Sequence, residues 1–529
     1  MIKDLKESFQ KKQIIIIFCL FVISVIFAII NKTPYHPDEH FQILEFLGSK
    51  TDKTPVNELA WEYKTQIRPW MQIGIYYIIN KIFLFLNISD PFVISTAFRF
   101  FSIIFGIISI MLFFLAFKKH FKDKESENIY LLLASFLWVI PWFISRCSSE
   151  TLSGIFVLMG VSLLYYYYRN KEVKLLFIPL IITGIIFGFA FQFRFQISFM
   201  IFGACLWFLI FSEDKFLKRI INVSFIVIGF IMVFVLGIIV DSWGYGKLNL
   251  TFYKYFYVNI VLKAANHFGV DPLWGYFYLI PLSFKEIIIL PILIMISYII
   301  FCIRYPKDII TWATLPLIVI HTIISHKEGR FLYPVILFMP FILIMSILPK
   351  KEDFFIKLYN LRKNILFKIL YILNFIGIIF LLFWGPGFKE TIIFQKYIYT
   401  NFKDGFEGYI TDNKESEYPF QFAGLKSYFY RPKYFKTTIL ENIDKVEDIL
   451  KEKEQIYLIA RYTNLSSEDK KGYNVKEVFV IKENNFIQFQ IKQIIKLTIN
   501  KIKKDKFDLS LPNKNICVLY LIERNHNTD

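Results

Sequence analysis

KKQIIIIFCLFVISVIFAIINKTPYHPDEHFQILEF, residues 11–46, decides how the rest of the chain is read. Ile14–Ile30 carries no charge over the length that a bilayer's hydrocarbon needs, roughly 17–25 residues, and within a few residues the chain reaches His-Pro-Asp-Glu. Lys3, Lys6, Lys11 and Lys12 precede the run as they would a signal peptide. No small-residue cleavage site follows, so the segment is read as a retained anchor.

Runs of the same kind recur. Spans are expected near 13–30, 93–117, 129–145, 151–168, 175–193, 196–211, 220–240, 286–303, 309–324, 331–348 and 366–385. Composition agrees: of 529 residues 55% are hydrophobic, 19% aromatic and 20% charged, with a mean hydropathy of +0.47. Soluble domains do not lie this far on the apolar side over such a length, which excludes an ordinary soluble enzyme. The 61 Phe and 31 Tyr exclude a disordered chain. Cys19, Cys147, Cys205, Cys302 and Cys517 show neither CxxC nor metal-like spacing, so no disulfide framework or zinc site is expected.

The net charge of +18 is assigned to basic loops beside anionic lipid, and no nucleic-acid partner is expected. The run Met71–Leu86 is apolar but broken by Asn80 and Lys81. If it crossed, KKHFKDK (118–124) would face outside, so it is read as interfacial and left uncounted. The inside segments are then 1–12, 118–128, 169–174, 213–219, 304–308 and 350–368, where Lys and Arg outnumber Asp and Glu 22 to 11. The expected fold is an α-helical integral membrane protein with about 11 transmembrane helices over 1–386, amino terminus inside, and a small outer-face α/β domain over 387–529. In that domain the pattern predicts a helix at Ile439–Leu450 and strands at Gln455–Ala460, Glu477–Ile481 and Ile516–Ile522.

With sidedness set, the polar residues that composition leaves unexplained gather on the outer face, where ionisable groups beside hydrocarbon mark a site. The first outer loop, 31–92, holds HPDEHFQILEFLG (36–48) and WEYKTQIRP (61–69). Pro37 suits a first helical position, which puts Asp38 and Glu39 in a first turn. Acids there are ordinary dipole partners, and the same placement keeps a carboxylate ionised and able to take a proton from a hydroxyl. His326, Lys327, Glu328 and Arg330 share a second short turn, which is either a solvated interface turn or a phosphate grip. In the grip, Arg330 would hold two-pronged and Lys327 would act as a point charge. A long outer loop, 241–285, offers Asp241, Tyr245, Trp274 and Tyr276, where aromatic faces beside carboxylates suit carbohydrate and also suit an interfacial girdle. Arg146 with Glu150, and Arg194, read equally well as interfacial ion pairs worth little.

Together these motifs resemble the polyprenyl-phosphate-sugar-dependent mannosyltransferases of glycosyltransferase family 22. HPDEHFQILEF is similar to the family's first-loop motif, WEYKTQIRP to its Trp-Glu and Ile-Arg signature, and HKEGRFLYPV to its late turn; DSWGYG, FYKYFYVNI and FGVDPLWGYF resemble its central loop. The likeness covers roughly residues 31–340. It implies a GT-C membrane fold, a sugar donor on a polyprenyl phosphate, inversion at the anomeric carbon, and Asp38 as catalytic base. ESEYPFQFAGLKSYFYRP (415–432) lacks the Cys-His motif that eukaryotic members often carry, so the resemblance does not reach the acceptor. The Ile, Lys and Phe usage points to a bacterial branch, hence an inner membrane with the site facing the periplasm; in a eukaryote it would face the lumen of the ER.

The function expected is an inverting, mannosyltransferase-like glycosyltransferase. Its partners are a polyprenyl-phosphate sugar donor, a glycan or glycolipid acceptor and the bilayer. Asp38 is the expected base, with Glu39 orienting. His326, Lys327 and Arg330 are expected at the donor phosphate, and His36, Trp61, Glu62, Arg68, Arg146, Glu150, Asp241, Tyr245, Trp274, Tyr276 and Glu328 around the substrate. No cofactor or metal is demanded, since fixed cations can stabilise the leaving phosphate. A transporter or flippase of a lipid-linked sugar would want charges along a path through the spans and inverted repeats, and neither is visible. A whole-glycan ligase is the nearer alternative.

Overall fold

The computed structural model describes residues 9–31, 33–169, 177–347, 365–383, 389–411, 419–440, 445–461, 473–482 and 515–524. The chain divides into two compact units, Met1–Gly387 and Phe388–Asp529. Among the described residues of the first, five helices are long and apolar enough to cross a membrane: Lys11–Ile30, Pro91–His120, Ser149–Arg169, Phe216–Tyr245 and Gly329–Ile347. Shorter apolar helices are Met71–Phe85, Phe177–Phe193, Phe195–Phe211, Ile289–Arg304, Ile309–Ile323 and Lys368–Phe383. The apolar runs named above therefore became helices almost throughout, and the uncounted run Met71–Leu86 did too, with Asn80 buried. Lys81 stays exposed and lays its ammonium over the Tyr77 ring.

Two boundaries differ from expectation. The run 129–145 is not one helix but Lys124–Phe136 followed by Ile140–Ile144. Pro141 has no N–H to continue the ladder, and the Asn374 amide takes up the loose ends, donating to the Phe136 carbonyl at 2.6 Å and accepting from Trp138 N–H at 2.9 Å. The span expected to stop at 240 continues to Tyr245, so Asp241 and Tyr245 lie on the last turns of a 30-residue helix rather than in a loop.

Close backbone approach at glycines places the site helices. Gly154 brings Ser149–Arg169 against the segment carrying Arg330, where an added Cβ would sit 3.0 Å from Pro334 Cα. That segment, Gly329–Phe338, is a 3-10 helix of ten residues, well beyond the three or four at which such runs usually stop.

The second unit is α/β. Its five-stranded sheet, in the order β4-β1-β5-β7-β6, comprises β1 Phe406–Thr411, β4 Phe435–Leu440, β5 Gln455–Arg461, β6 Tyr473–Lys482 and β7 Asn515–Arg524. The first three are parallel and the last pairings antiparallel. A two-stranded ribbon pairs β2 Gln421–Phe422 with β3 Leu425–Lys426. Helix Lys389–Asn401 buries Phe394 and Ile398 against one sheet face, and helix Lys445–Glu452 buries Val446 and Leu450 against the other. The helix expected over Ile439–Leu450 thus begins only at Lys445, because Ile439 and Leu440 end β4; residues 441–444 lie outside the described residues.

Candidate active site

His36-Pro37-Asp38-Glu39 opens a helical stretch as expected: His36 is the N-cap, and its Nδ1 accepts the Asp38 N–H at 3.3 Å. The helix bulges at once into a π turn over His40–Leu44 before resuming at Glu45–Ser49. Such bulges re-aim side chains and are frequent at functional sites. His40, inside the bulge, is fully buried and bonded to Glu45 at 2.6 Å, and Thr54 donates to the same carboxylate, so this part of the motif fastens the loop to itself.

Asp38 and Glu39 point to different partners. Glu39 is buried and clasped by Arg146, whose Nε donates at 3.1 Å and whose Nη2 also bonds both Glu39 and the Thr33 carbonyl. Asp38 meets the late turn: Arg330 Nη1 lies 2.6 Å from its Oδ2, and Arg68 Nη2 lies 3.6 Å from the same oxygen. Arg330 Nη1 also lies 3.4 Å from Glu150 Oε1, which Arg194 Nη1 holds at 2.7 Å. Arg68 reaches Glu62 at 3.4 Å, and Glu62 accepts Gln42 Nε2 at 2.8 Å. Opposite charges therefore alternate along Glu62, Arg68, Asp38, Arg330, Glu150 and Arg194. Six positions spread over more than 260 residues of sequence form one chain of contacts.

Glu328 closes the network from the other side. It grips Arg330 through both Nε and Nη2, accepts His326 Nε2 at 3.1 Å, and lies 3.5 Å from His36. Burial alone would raise the Asp38 carboxyl. Arg330, the His36 hydrogen bond and Arg68 together outweigh it and hold the group well below the usual carboxylate range. Glu328 is likewise held down, burial being overcome by Arg330 and His326. His326 is pushed upward by its bond to Glu328, with Nδ1 on the Gly269 carbonyl at 2.9 Å so that both ring nitrogens have acceptors.

Several expected ligand groups also carry structural duties. Lys327 is buried and donates to the carbonyls of Ile324 at 2.6 Å and Asp271 at 3.2 Å, which leaves one of its three hydrogens for anything else. Asp241 accepts the Trp70 N–H at 2.7 Å, and Tyr245 OH bonds both backbone groups of Arg68. They hold the Ile-Arg-Pro-Trp strand that aims Arg68, around a Trp70 packed on Phe46, Tyr63 and Tyr245. Trp61 stacks on Phe268, which in turn lies 6.3 Å from His326. Trp274 stays exposed against Tyr278, and Tyr276 is buried. Arg146 and Glu150 are not each other's partners, because the pairs cross to Glu39 and Arg194. Arg194, named in the sequence but not placed among the expected site residues, joins the network through Glu150; its signal is an arginine between phenylalanines with no acid in its own loop. Among the described residues no group of three or more His, Cys, Asp and Glu side chains is arranged to hold a metal.

Arg68 and Arg194 also line a narrow cleft with Gln42, Gln72, Ser149 and Tyr255, walled by Ile43, Ile73, Phe193 and Phe195. Among the described residues no carboxylate lines it. Two cations, amide donors and an apolar wall surround a space of about 30 Å³, room for about one water, which a phosphate would have to widen.

Comparison with known proteins follows from this geometry. The profile of the Alg9-like mannosyltransferase family matches residues 15–408. The chain is similar to mannosyltransferase APTG1 of Arabidopsis thaliana, at 23% identity over 63% of this chain and 57% of that protein. It is also similar to GPI mannosyltransferase 3 of Yarrowia lipolytica, at 25% identity over 63% of this chain and 62% of that protein. It thus spans about three fifths of the length of these relatives. In fold it is similar to the crystal structure of ArnT from Cupriavidus metallidurans bound to undecaprenyl phosphate, with a TM-score of 0.52 and 8% identity over 96% of this chain and 97% of that one. The chain belongs to the Alg9-like mannosyltransferase family and has a GT-C membrane fold.

Proposed function

We propose that this member of the Alg9-like mannosyltransferase family moves a mannosyl group from a polyprenyl-phosphate donor to a hydroxyl of a glycan or glycolipid acceptor, inverting the anomeric carbon. The observation that carries this reading is the Asp38 carboxylate, ionised at a helix start, partly open, and surrounded by the arginines that an anionic leaving group needs. The acceptor hydroxyl gives its proton to Asp38 as its oxygen bonds to the anomeric carbon. The bond from that carbon to the phosphate oxygen breaks with its electron pair, and the polyprenyl phosphate leaves with the added negative charge. Arg68 and Arg194 receive it in the cleft, with Arg330 behind them.

Glu39 acts as a clasp: it fixes Arg146, which in turn donates to the Thr33 carbonyl, and so holds the helix start that aims Asp38. The site faces away from the basic loops, on the extracytoplasmic side. The relatives named as GPI mannosyltransferases and the ArnT structure with undecaprenyl phosphate support the sugar and the lipid carrier.

The test is transfer by purified protein in nanodiscs given polyprenyl-phosphate mannose, the corresponding glucose and N-acetylglucosamine lipids, and nucleotide sugars, with an acceptor extract. Mannose transfer with release of polyprenyl phosphate is expected. Transfer from nucleotide sugars alone would overturn the reading.

A further inference from the structure

A second cavity lies at the other end of the helical unit. Helix Ser149–Arg169 has Glu150 of the charge network in its first turn and Arg169 in its last, so about 30 Å separates them at 1.5 Å per residue. There, a cavity of about 400 Å³ is lined by Lys119, His120, Tyr165, Tyr168, Arg169 and Glu213. Helix ends build it: the turn Lys118–His120 that follows Pro91–Phe117, the last turn of Ser149–Arg169, and the residue pair after Ser198–Phe211.

Its floor is fixed. Tyr165 is buried, stacks on Phe117 at 4.3 Å, and shares a hydrogen bond of 3.2 Å with His120 Nε2. Tyr168 packs on Trp207 at 5.0 Å and donates to the Phe211 carbonyl. The rim is charged. Lys119, Arg169 and Glu213 are exposed, two cations against one acid, and Arg169 lays its guanidinium over the Tyr165 ring at 5.7 Å. Cations at helix carboxyl ends answer the helix dipoles, which accounts for their sign. Dipole partners need no cavity of ligand size with a rigid tyrosine and imidazole floor.

We propose that this cavity binds the phosphate headgroup of an anionic phospholipid, with Lys119 and Arg169 on the phosphate and the tyrosine floor beneath the rest of the headgroup. Basic pockets between membrane helices on the side of the positive loops bind such headgroups, and this one opens where Lys and Arg predominate. The proposal does not depend on the chemistry at Asp38, since the two sites lie at opposite ends of the unit.

The test uses the full-length protein exchanged into phosphatidylcholine nanodiscs or detergent. Phosphatidylglycerol is titrated in one arm and inorganic phosphate in another, reading bound lipid by native mass spectrometry and the unfolding midpoint. Wild-type protein is expected to retain one phosphatidylglycerol. Lys119→Gln with Arg169→Gln should weaken retention roughly 30-fold, at the usual contribution of each cation near a lipid surface. Lys119→Arg with Arg169→Lys keeps both charges and should retain it, which separates lost binding from misfolding. Lys215→Gln with Lys218→Gln, the same charge change elsewhere, should leave retention unchanged. Inorganic phosphate binding that disappears in the glutamine variant, without lipid preference, would keep the phosphate site and assign it to free phosphate. Equal phosphatidylglycerol retention by wild type and the Lys119/Arg169 glutamine variant, or an equal loss in the Lys215/Lys218 variant, would overturn the proposal.

Discussion

Asp38→Asn separates chemistry from structure at this site. The amide keeps the size of the side chain, and the backbone N–H that His36 caps is untouched. What is lost is the charge on the 2.6 Å contact with Arg330 and the 3.6 Å approach of Arg68. A hydrogen bond to a charged group contributes about 1.5–3 kcal/mol, and the low end applies because Arg330 keeps Glu328 and Glu150. The expected stability loss is therefore about 1.5 kcal/mol, a drop of a few degrees in the unfolding midpoint. Loss of the base should instead slow transfer by about 10²–10⁴, or about 3–5 kcal/mol of barrier, with donor binding retained. Glu39→Gln should show the reverse order. It leaves the buried Arg146 without its anion, costs about 3–5 kcal/mol of stability, and lowers turnover per folded molecule less than Asp38→Asn does. The assay is radiolabelled sugar transfer in nanodiscs beside thermal unfolding of the same preparations. An Asp38→Asn protein that inserts normally and transfers at more than about a tenth of the wild-type rate would refute the assignment, since a base contributes at least a hundredfold.

The other expectations concern the surroundings. Arg330→Lys keeps one charge but cannot hold three carboxylates, so donor affinity by lipid titration should fall roughly tenfold, the loss of about one charge-assisted hydrogen bond. His326 has its folded-state value raised by Glu328, so its contribution to stability is complete below the ordinary histidine value near 6.5 and is lost as pH rises through the higher folded value; His326→Gln should flatten that alkaline decline in unfolding midpoint. Gly244→Ala would set a Cβ 2.1 Å from the Trp70 ring and should cost about 1–3 kcal/mol in thermal unfolding, whereas Gly74→Ala, facing only a Val240 methyl at 3.1 Å, should cost less. Single cysteines at Thr51 and Lys122 in a cysteine-free background test sidedness: an impermeant maleimide applied to intact cells should label position 51 and leave 122 unmarked.

What the sequence made legible was whatever local periodicity encodes. Long apolar runs between charged loops became helices because nothing else satisfies a backbone in hydrocarbon. Pro141 is the local sign of the break after Phe136, but its remedy, Asn374, lies more than 230 residues away and leaves no local trace. Strands β1 and β4 escaped notice because neither FEGYIT nor FKTTIL stands out locally; β1 is a strand through its parallel neighbours on both sides, and β4 is an edge strand paired with β1. The charged motifs could be named one by one, since ionisable residues beside apolar spans stand out. Their pairing could not. Arg146 and Glu150 look like partners in sequence, yet each finds its ion across the fold, at Glu39 and Arg194.

That pairing bears on how Asp38 would act. A carboxylate held far below its ordinary value is ionised at any physiological pH but is a weak acceptor of a proton, because Arg330 already stabilises its charge. The same guanidinium is shared with Glu150, and Glu150 with Arg194, which lines the cleft proposed for the phosphate. A second anion arriving beside Arg68 and Arg194 competes for those cations, and each one drawn toward the phosphate leaves Asp38 with less positive charge around it. In the proposed reaction its affinity for a proton would then rise as the donor is seated. An alternating chain of charges is suited to this coupling in a way that an isolated pair is not, because moving one arginine redistributes the field along every carboxylate to which it is linked. In a donor-free site the same linkage keeps each buried charge paired, which limits the desolvation penalty that an unpaired ion would carry at the edge of the membrane.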